Sequence, residues 1–87
     1  MDARTIIGWN VRSLRVAAGL SQERLAFAAK LDRAYVGRIE RGSENVTITT
    51  LEAIALVLAV PVSGLLMEPE PTAGRPPPMR AGRKPKS

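Results

Sequence analysis

Apolar residues Ile7, Val11, Leu14 and Ala18 recur at the four-three-four spacing of one helical face, with Arg12 and Arg15 beside them. Residues 5–18 are therefore expected to form a first amphipathic helix, which Gly19 stops. A second helix should follow at once. Ser21 offers a hydroxyl to the free amides of its first turn, Glu23 suits its positive end, and Leu25, Ala26 and Ala29 form an inward stripe as far as Lys30. Asp32 is a cap for a third helix in which Val36 and Ile39 face inward, and Gly42 suits the left-handed position that ends it. After the loop Ser43–Val46, Thr47 caps a fourth helix with Ile48, Leu51, Ile54, Ala55 and Leu58 on one face, closed by Pro61. Val62 to Met67 reads as a short fifth helix whose Val62, Leu65, Leu66 and Met67 are more apolar than one exposed turn should be. The pattern predicts an all-α, compact five-helix domain.

Helical periodicity ends near Glu68, so the chain divides into a domain over residues 1–68 and a tail over residues 69–87. Six of the seven prolines lie at or after position 69, with little to bury, so the tail is expected to be disordered and partly polyproline. Charge changes the picture further. The net charge is +5, yet residues 1–68 hold 8 Lys/Arg against 7 Asp/Glu, and residues 69–87 hold 5 against 1. Basicity by itself argues only for an electrostatic arm in the tail; a case for nucleic acid depends on where individual arginines sit on the fold.

At 87 residues, 45% of them apolar and 24% charged, the chain has room for one small core. It has no cysteine to staple that core, so helix packing and dimerisation must supply stability. The N-terminus lacks the basic start and apolar run of a signal peptide, and no apolar run approaches the roughly 20 residues of a membrane helix. A cytoplasmic location is expected, without membrane contact. Histidine and cysteine are absent, and neither a paired-carboxylate spacing nor a glycine-rich phosphate loop occurs. No enzyme activity, metal, cofactor or small-molecule ligand is expected.

Residues 20–42 describe two capped helices joined by two or three residues, the geometry of a helix-turn-helix. In such a unit the first helix can set its N-terminus, here Ser21 and Gln22, against a phosphate, while the second enters the major groove of duplex DNA. Arg33 and Ala34 stand at the tip of the second helix, and Arg38 lies one turn later. Arginine can bind guanine O6 and N7 with two hydrogen bonds, and alanine can meet a thymine methyl, so these three residues are the candidate base readers.

The marks Ile7-Gly8, Val11-Arg12, Leu14-Arg15, Gly19-Leu20-Ser21-Gln22-Glu23, Leu25-Ala26, Leu31-Asp32-Arg33, Tyr35-Val36, Ile39-Glu40-Arg41-Gly42, Asn45, Leu51, Ile54-Ala55 and Leu58 together resemble the lambda-repressor and Cro-like family, also called the xenobiotic-response-element family. The resemblance covers nearly all of residues 5–67, and Leu31 to Asn45 is most similar to the controller proteins of restriction-modification systems. It implies a bacterial homodimer that binds paired half-sites in double-stranded DNA and regulates transcription. By position it implies that Gln22, Tyr35, Arg41, Ser43 and Asn45 touch phosphate or sugar, and that Arg15 and Glu40 pair across the back of the motif. With that two-fold symmetry, the apolar end carrying Val57, Val60, Val62, Leu65, Leu66 and Met67 is the expected dimer face.

Three positions depart from the family pattern. Lys30 replaces a turn glycine and should adopt a left-handed conformation at a cost of roughly 1 kcal/mol. Glu44 stands where a basic residue is common, which removes a phosphate contact, and Gly37 leaves bare backbone in mid-helix. Trp9 and Phe27 fall off the main apolar faces and are expected to pack, half exposed, over the core. The rival function is a protein-interaction module, an antitoxin or adaptor that holds a partner through the apolar C-terminal end or the tail.

Overall fold

Asp2 opens the first helix two residues earlier than periodicity alone indicates, its Oδ1 accepting from the Thr5 amide at 2.9 Å. That backbone hydrogen bond also holds the Asp2 carboxyl below its ordinary pKa. The computed structural model describes residues 1–69 and contains α1 Ala3–Ala17, α2 Gln22–Ala29, α3 Arg33–Glu40 and α4 Ile48–Leu58, followed by a 3-10 turn, Val62–Leu65. The all-α expectation holds, but a fifth α-helix does not form. Its four residues lie between extended Pro61 and non-helical Leu66 and include Gly64, so they close only one tight turn. Beyond Pro69, the expectations for the basic tail lie outside the described residues.

Serine and threonine caps appear where the pattern put them. Ser21 Oγ accepts from the Arg24 amide at 3.0 Å, and Thr47 Oγ1 accepts from the Thr50 amide at 3.1 Å. Asp32 has the extended backbone of a cap, but its side chain makes no capping hydrogen bond. All four helices end alike, with one amide reaching back three residues and the next reaching back five. The pairs are Gly19 to Val16 and Leu20 to Arg15, Lys30 to Phe27 and Leu31 to Ala26, Gly42 to Ile39 and Ser43 to Arg38, and Ala59 to Leu56 and Val60 to Ala55. Each motif needs a left-handed residue. Gly19 and Gly42 supply it at φ 76° and 77°, while Lys30 and Ala59 adopt it at φ 60° against a steric cost of roughly 1 kcal/mol each. Thus α4 stops at Leu58 through Ala59, and Pro61 follows the stop instead of causing it.

Every helix contributes to one core. Val11, Leu25, Val36, Ile39, Ile54 and Leu65 are wholly buried, each worth about 1.5–3 kcal/mol of transfer free energy. Three expected core or half-core positions lie outside. Ala18 is exposed because α1 has already ended at Ala17. Ile48 is 69% exposed, being the first residue of α4, and the buried stretch of that helix begins one turn later at Leu51. Phe27 is 84% exposed on the outer side of α2, whereas Trp9 is part-buried as expected.

Packing of α1 on α3 depends on Gly8. A Cβ there would stand 2.5 Å from the Ile39 carbonyl oxygen and 2.8 Å from that of Glu40, so the two backbones meet with no room for a methyl group. Asn10, also on α1, donates to the carbonyls of Leu65 at 3.0 Å and Met67 at 2.8 Å, tying the end of the domain to the first helix. The spacing of apolar residues along α1 carries no signal of that tie.

Candidate nucleic-acid interface

Between α2 and α3 only Lys30, Leu31 and Asp32 intervene, so the two helices meet across a tight corner. Val36 and Ile39 turn the inner face of α3 into the core, while Arg33, Ala34, Arg38 and the following Arg41 are exposed. At 100° per residue, positions 33, 34, 37, 38 and 41 share one face of about 140°. Three arginines and an alanine therefore surround Gly37 on the outer side. Among the described residues, the guanidinium groups of Arg33 and Arg41 have no hydrogen-bond or ion-pair partner.

A built cluster holds this helix in place. Arg15 reaches from α1 with Nε donating to Glu40 Oε2 at 2.6 Å and Nη2 donating to Oε1 at 3.0 Å. Its remaining Nη1 donates to the Leu20 carbonyl at 2.8 Å, in the turn between α1 and α2. Glu40 Oε1 also accepts from Gln22 Nε2 at 3.0 Å, at the start of α2. The Glu40 side chain is 2% exposed and that of Arg15 12%, so the charges are desolvated and satisfied by one another. The Glu40 carboxylate, at the end of α3, thereby joins the start of α2 to the last turn of α1. Gln22's part in it was not visible in the sequence, and it leaves one amide proton of Gln22 for an outside acceptor.

The second cluster lies at the end of α3. Arg38 Nε donates to Glu44 Oε2 at 2.5 Å, and the Arg38 guanidinium carbon lies 5.7 Å from the centre of the part-buried Tyr35 ring. The Ser43 hydroxyl donates to the Arg38 carbonyl at 3.2 Å, beside the amide bond from the same residue at 3.0 Å. Ser21 is exposed at the start of α2, and Asn45 is exposed in the loop after α3. Tyr35, Arg38, Ser43 and Glu44 are thus brought together at the end of α3, while Gln22 and Arg41 lie nearest to Gly37. The pairing of Glu44 with Arg38 was hidden, because it crosses a helix end where no periodicity applies.

Gly37 is covered without being crowded. A Cβ there would lie 3.5 Å from Arg41 Nη1 and 3.8 Å from Gln22 Oε1, ordinary contacts with flexible side chains. Gly37→Ala should therefore raise the unfolding free energy by about 0.5–1 kcal/mol through helix propensity. A urea midpoint lower than that of the parent chain would refute this.

At the far end, Val57, Val60 and Val62 are part-buried, and Leu66 and Met67 are 47% and 64% exposed. Leu65, expected at a dimer face, is wholly buried in the core of its own chain and has no surface to offer a partner. The turn directs it inward, while Leu56, outside the stretch expected to pair, is exposed on α4.

The three-residue corner, the buried inner face of α3 and its cationic outer face define a helix-turn-helix protein. A helix-turn-helix family profile matches residues 11–65, and the chain belongs to that family, in agreement with the lambda-repressor and Cro-like resemblance. The chain is 46% identical over 66 residues to Control protein C.SmaI of Serratia marcescens, spanning 76% of this chain and 79% of that protein. It is 39% identical over 69 residues to a hypothetical transcription factor of Neisseria meningitidis, spanning 79% of this chain and 65% of that relative. The crystal structure of the restriction-modification controller protein C.AhdI from Aeromonas hydrophila is similar at a TM-score of 0.69 and 44% identity, over 71% of this chain and 94% of that one.

Proposed function

We propose that this protein is a sequence-specific, double-stranded DNA-binding transcription regulator of the restriction-modification controller type. The observation that carries the reading is the outer face of α3, where Arg33, Ala34 and Arg38 stand exposed on a helix whose opposite face is locked into the core. A helix so presented fits a major groove about 12 Å wide. Arg33 and Arg38 read guanine edges there and Ala34 meets a thymine methyl, while Ser21, Gln22, Tyr35, Arg41, Ser43 and Asn45 face phosphate and sugar. Arg15 and Glu40 position the reading helix without touching DNA.

The controller relatives and the apolar end support action as a homodimer on a pseudo-palindromic operator. Leu56, Val57, Val60, Val62, Leu66 and Met67 form the pairing face, without Leu65. Two reading helices related by a two-fold axis would meet half-sites about one turn, roughly 34 Å, apart. Occupancy of promoter DNA is the mechanism, and the place of action is the bacterial cytoplasm. No helix among the described residues is long and apolar enough to cross a membrane.

The test is selection of bound sequences from a random duplex library by the parent chain and by Arg38→Ala, with affinity followed against salt. The parent chain is expected to enrich a palindromic motif, and Arg38→Ala to relax it at one base step in each half-site by about 1–3 kcal/mol. Sequence-blind binding that is abolished by deleting residues 69–87 would overturn the reading.

A further inference from the structure

We infer that Glu44 is a specificity-determining residue that positions Arg38 for one base step, an inference that rests on α3 reading the major groove. An arginine projecting freely from a helix must lose much of its side-chain freedom when it grips a base, which weakens discrimination. Arg38 is already constrained on two sides. Its Nε edge is held by Glu44 Oε2 at 2.5 Å, and its guanidinium carbon lies 5.7 Å from the centre of the Tyr35 ring. Among the described residues neither terminal nitrogen of Arg38 has a hydrogen-bond partner. The fork left open is the one that can donate two parallel bonds to guanine O6 and N7.

Glu44 is itself placed by the backbone. Both the amide and the hydroxyl of Ser43 donate to the Arg38 carbonyl, so the residue that follows Ser43 begins beside the arginine it holds. The Glu44 side chain is 25% exposed and that of Arg38 44%, a surface pair of the kind that contributes little to folding stability. A carboxylate beside the reading helix also repels the phosphates of DNA of any sequence. Glu44 therefore lowers non-specific binding while sharpening the readout by Arg38.

The experiment compares bound-sequence selection and affinity for the parent chain, Glu44→Ala, Glu44→Gln, Arg38→Ala and the Arg38→Ala/Glu44→Ala double variant. Glu44→Ala is expected to weaken the preference for one base by about tenfold, at the same step that Arg38→Ala relaxes and at no other. Affinity for unrelated duplex should rise, and the urea midpoint should stay that of the parent chain. Glu44→Gln, which keeps an oxygen acceptor for Nε, should recover part of the preference. The double variant should be no less selective at that step than Arg38→Ala alone. Retention of the full preference by Glu44→Ala would overturn the inference and leave the DNA reading intact. A gain in specific affinity with a sharper preference would overturn it too, making Glu44 a competitor for Arg38. A parent chain that enriches no sequence would overturn the DNA reading and this inference together.

Discussion

Gly8→Ala is expected to lower the unfolding free energy by about 3 kcal/mol, near the upper end of what overpacking a core costs. The added methyl would stand 2.5 Å from the Ile39 carbonyl oxygen and 2.8 Å from that of Glu40, closer than real contacts allow. Both obstacles are backbone, so no side chain can rotate away to relieve them. Helix α1 must move from α3, opening the core around Val11, Val36 and Ile39, all wholly or almost wholly buried. In a domain of this size each kcal/mol shifts the melting temperature by roughly 4–8 °C, so a fall of about 15 °C should be seen by circular dichroism. Gly19→Ala is the contrast. Its Cβ would meet nothing within 4 Å and only the left-handed φ of 76° opposes it, at a cost of roughly 1 kcal/mol. Equal losses for the two variants would refute the close-approach account.

Glu40→Ala is expected to cost about 3–5 kcal/mol, because it leaves the buried Arg15 guanidinium without its counter-charge. Two hydrogen bonds from Arg15, at 2.6 and 3.0 Å, and one from Gln22, at 3.0 Å, are lost together. The Leu20 carbonyl would keep its bond from Arg15 Nη1, but a single neutral acceptor does not offset a desolvated cation. Adding Arg15→Met should recover most of the loss, since an apolar side chain in that place has no charge to satisfy. Urea unfolding of the parent chain, both single variants and the double variant measures the coupling, and a coupling near zero would sink the prediction. Stability and function should then separate. The double variant folds but has lost the carboxylate that holds Gln22 against the end of α3, so selective DNA binding should stay below that of the parent chain even where the fold is fully populated.

Much of this was legible along the chain. Periodicity located all four α-helices, Ser21 and Thr47 announced their starts, and Gly19 and Gly42 their ends. Lys30 betrayed its left-handed conformation by standing where the family has glycine. Other features are hidden along the chain, where the determining contact is distant or an element is too short to show a period. Val62 to Met67 reads as a helix along the chain, yet only Val62–Leu65 closes a 3-10 turn, because apolarity signals burial without naming the kind of turn. The burial of Leu65 within its own chain is hidden for the same reason: an apolar residue near the end of the domain does not say which surface buries it. Asp2 opens α1 from a position that precedes the apolar stripe, outside the window a periodicity argument uses.

The candidate site divides in the same way. That arginines at positions 33 and 38 share a helix face with Ala34 follows from the 3.6-residue turn and needs only the sequence. That α3 is held by one carboxylate bonded to both Arg15 and Gln22 depends on three segments meeting in space. Sequence alone determined the helices, most of their caps and the inward stripe of each, because those follow from hydrogen bonds and side-chain spacing within a few residues. Tertiary structure alone decided the contact of Gly8 with the α3 backbone, the burial of Leu65 and the Glu44 grip on Arg38. These depend on distances between separate elements or around a helix end, and such distances are set only when the packed core fixes how the helices lie against one another.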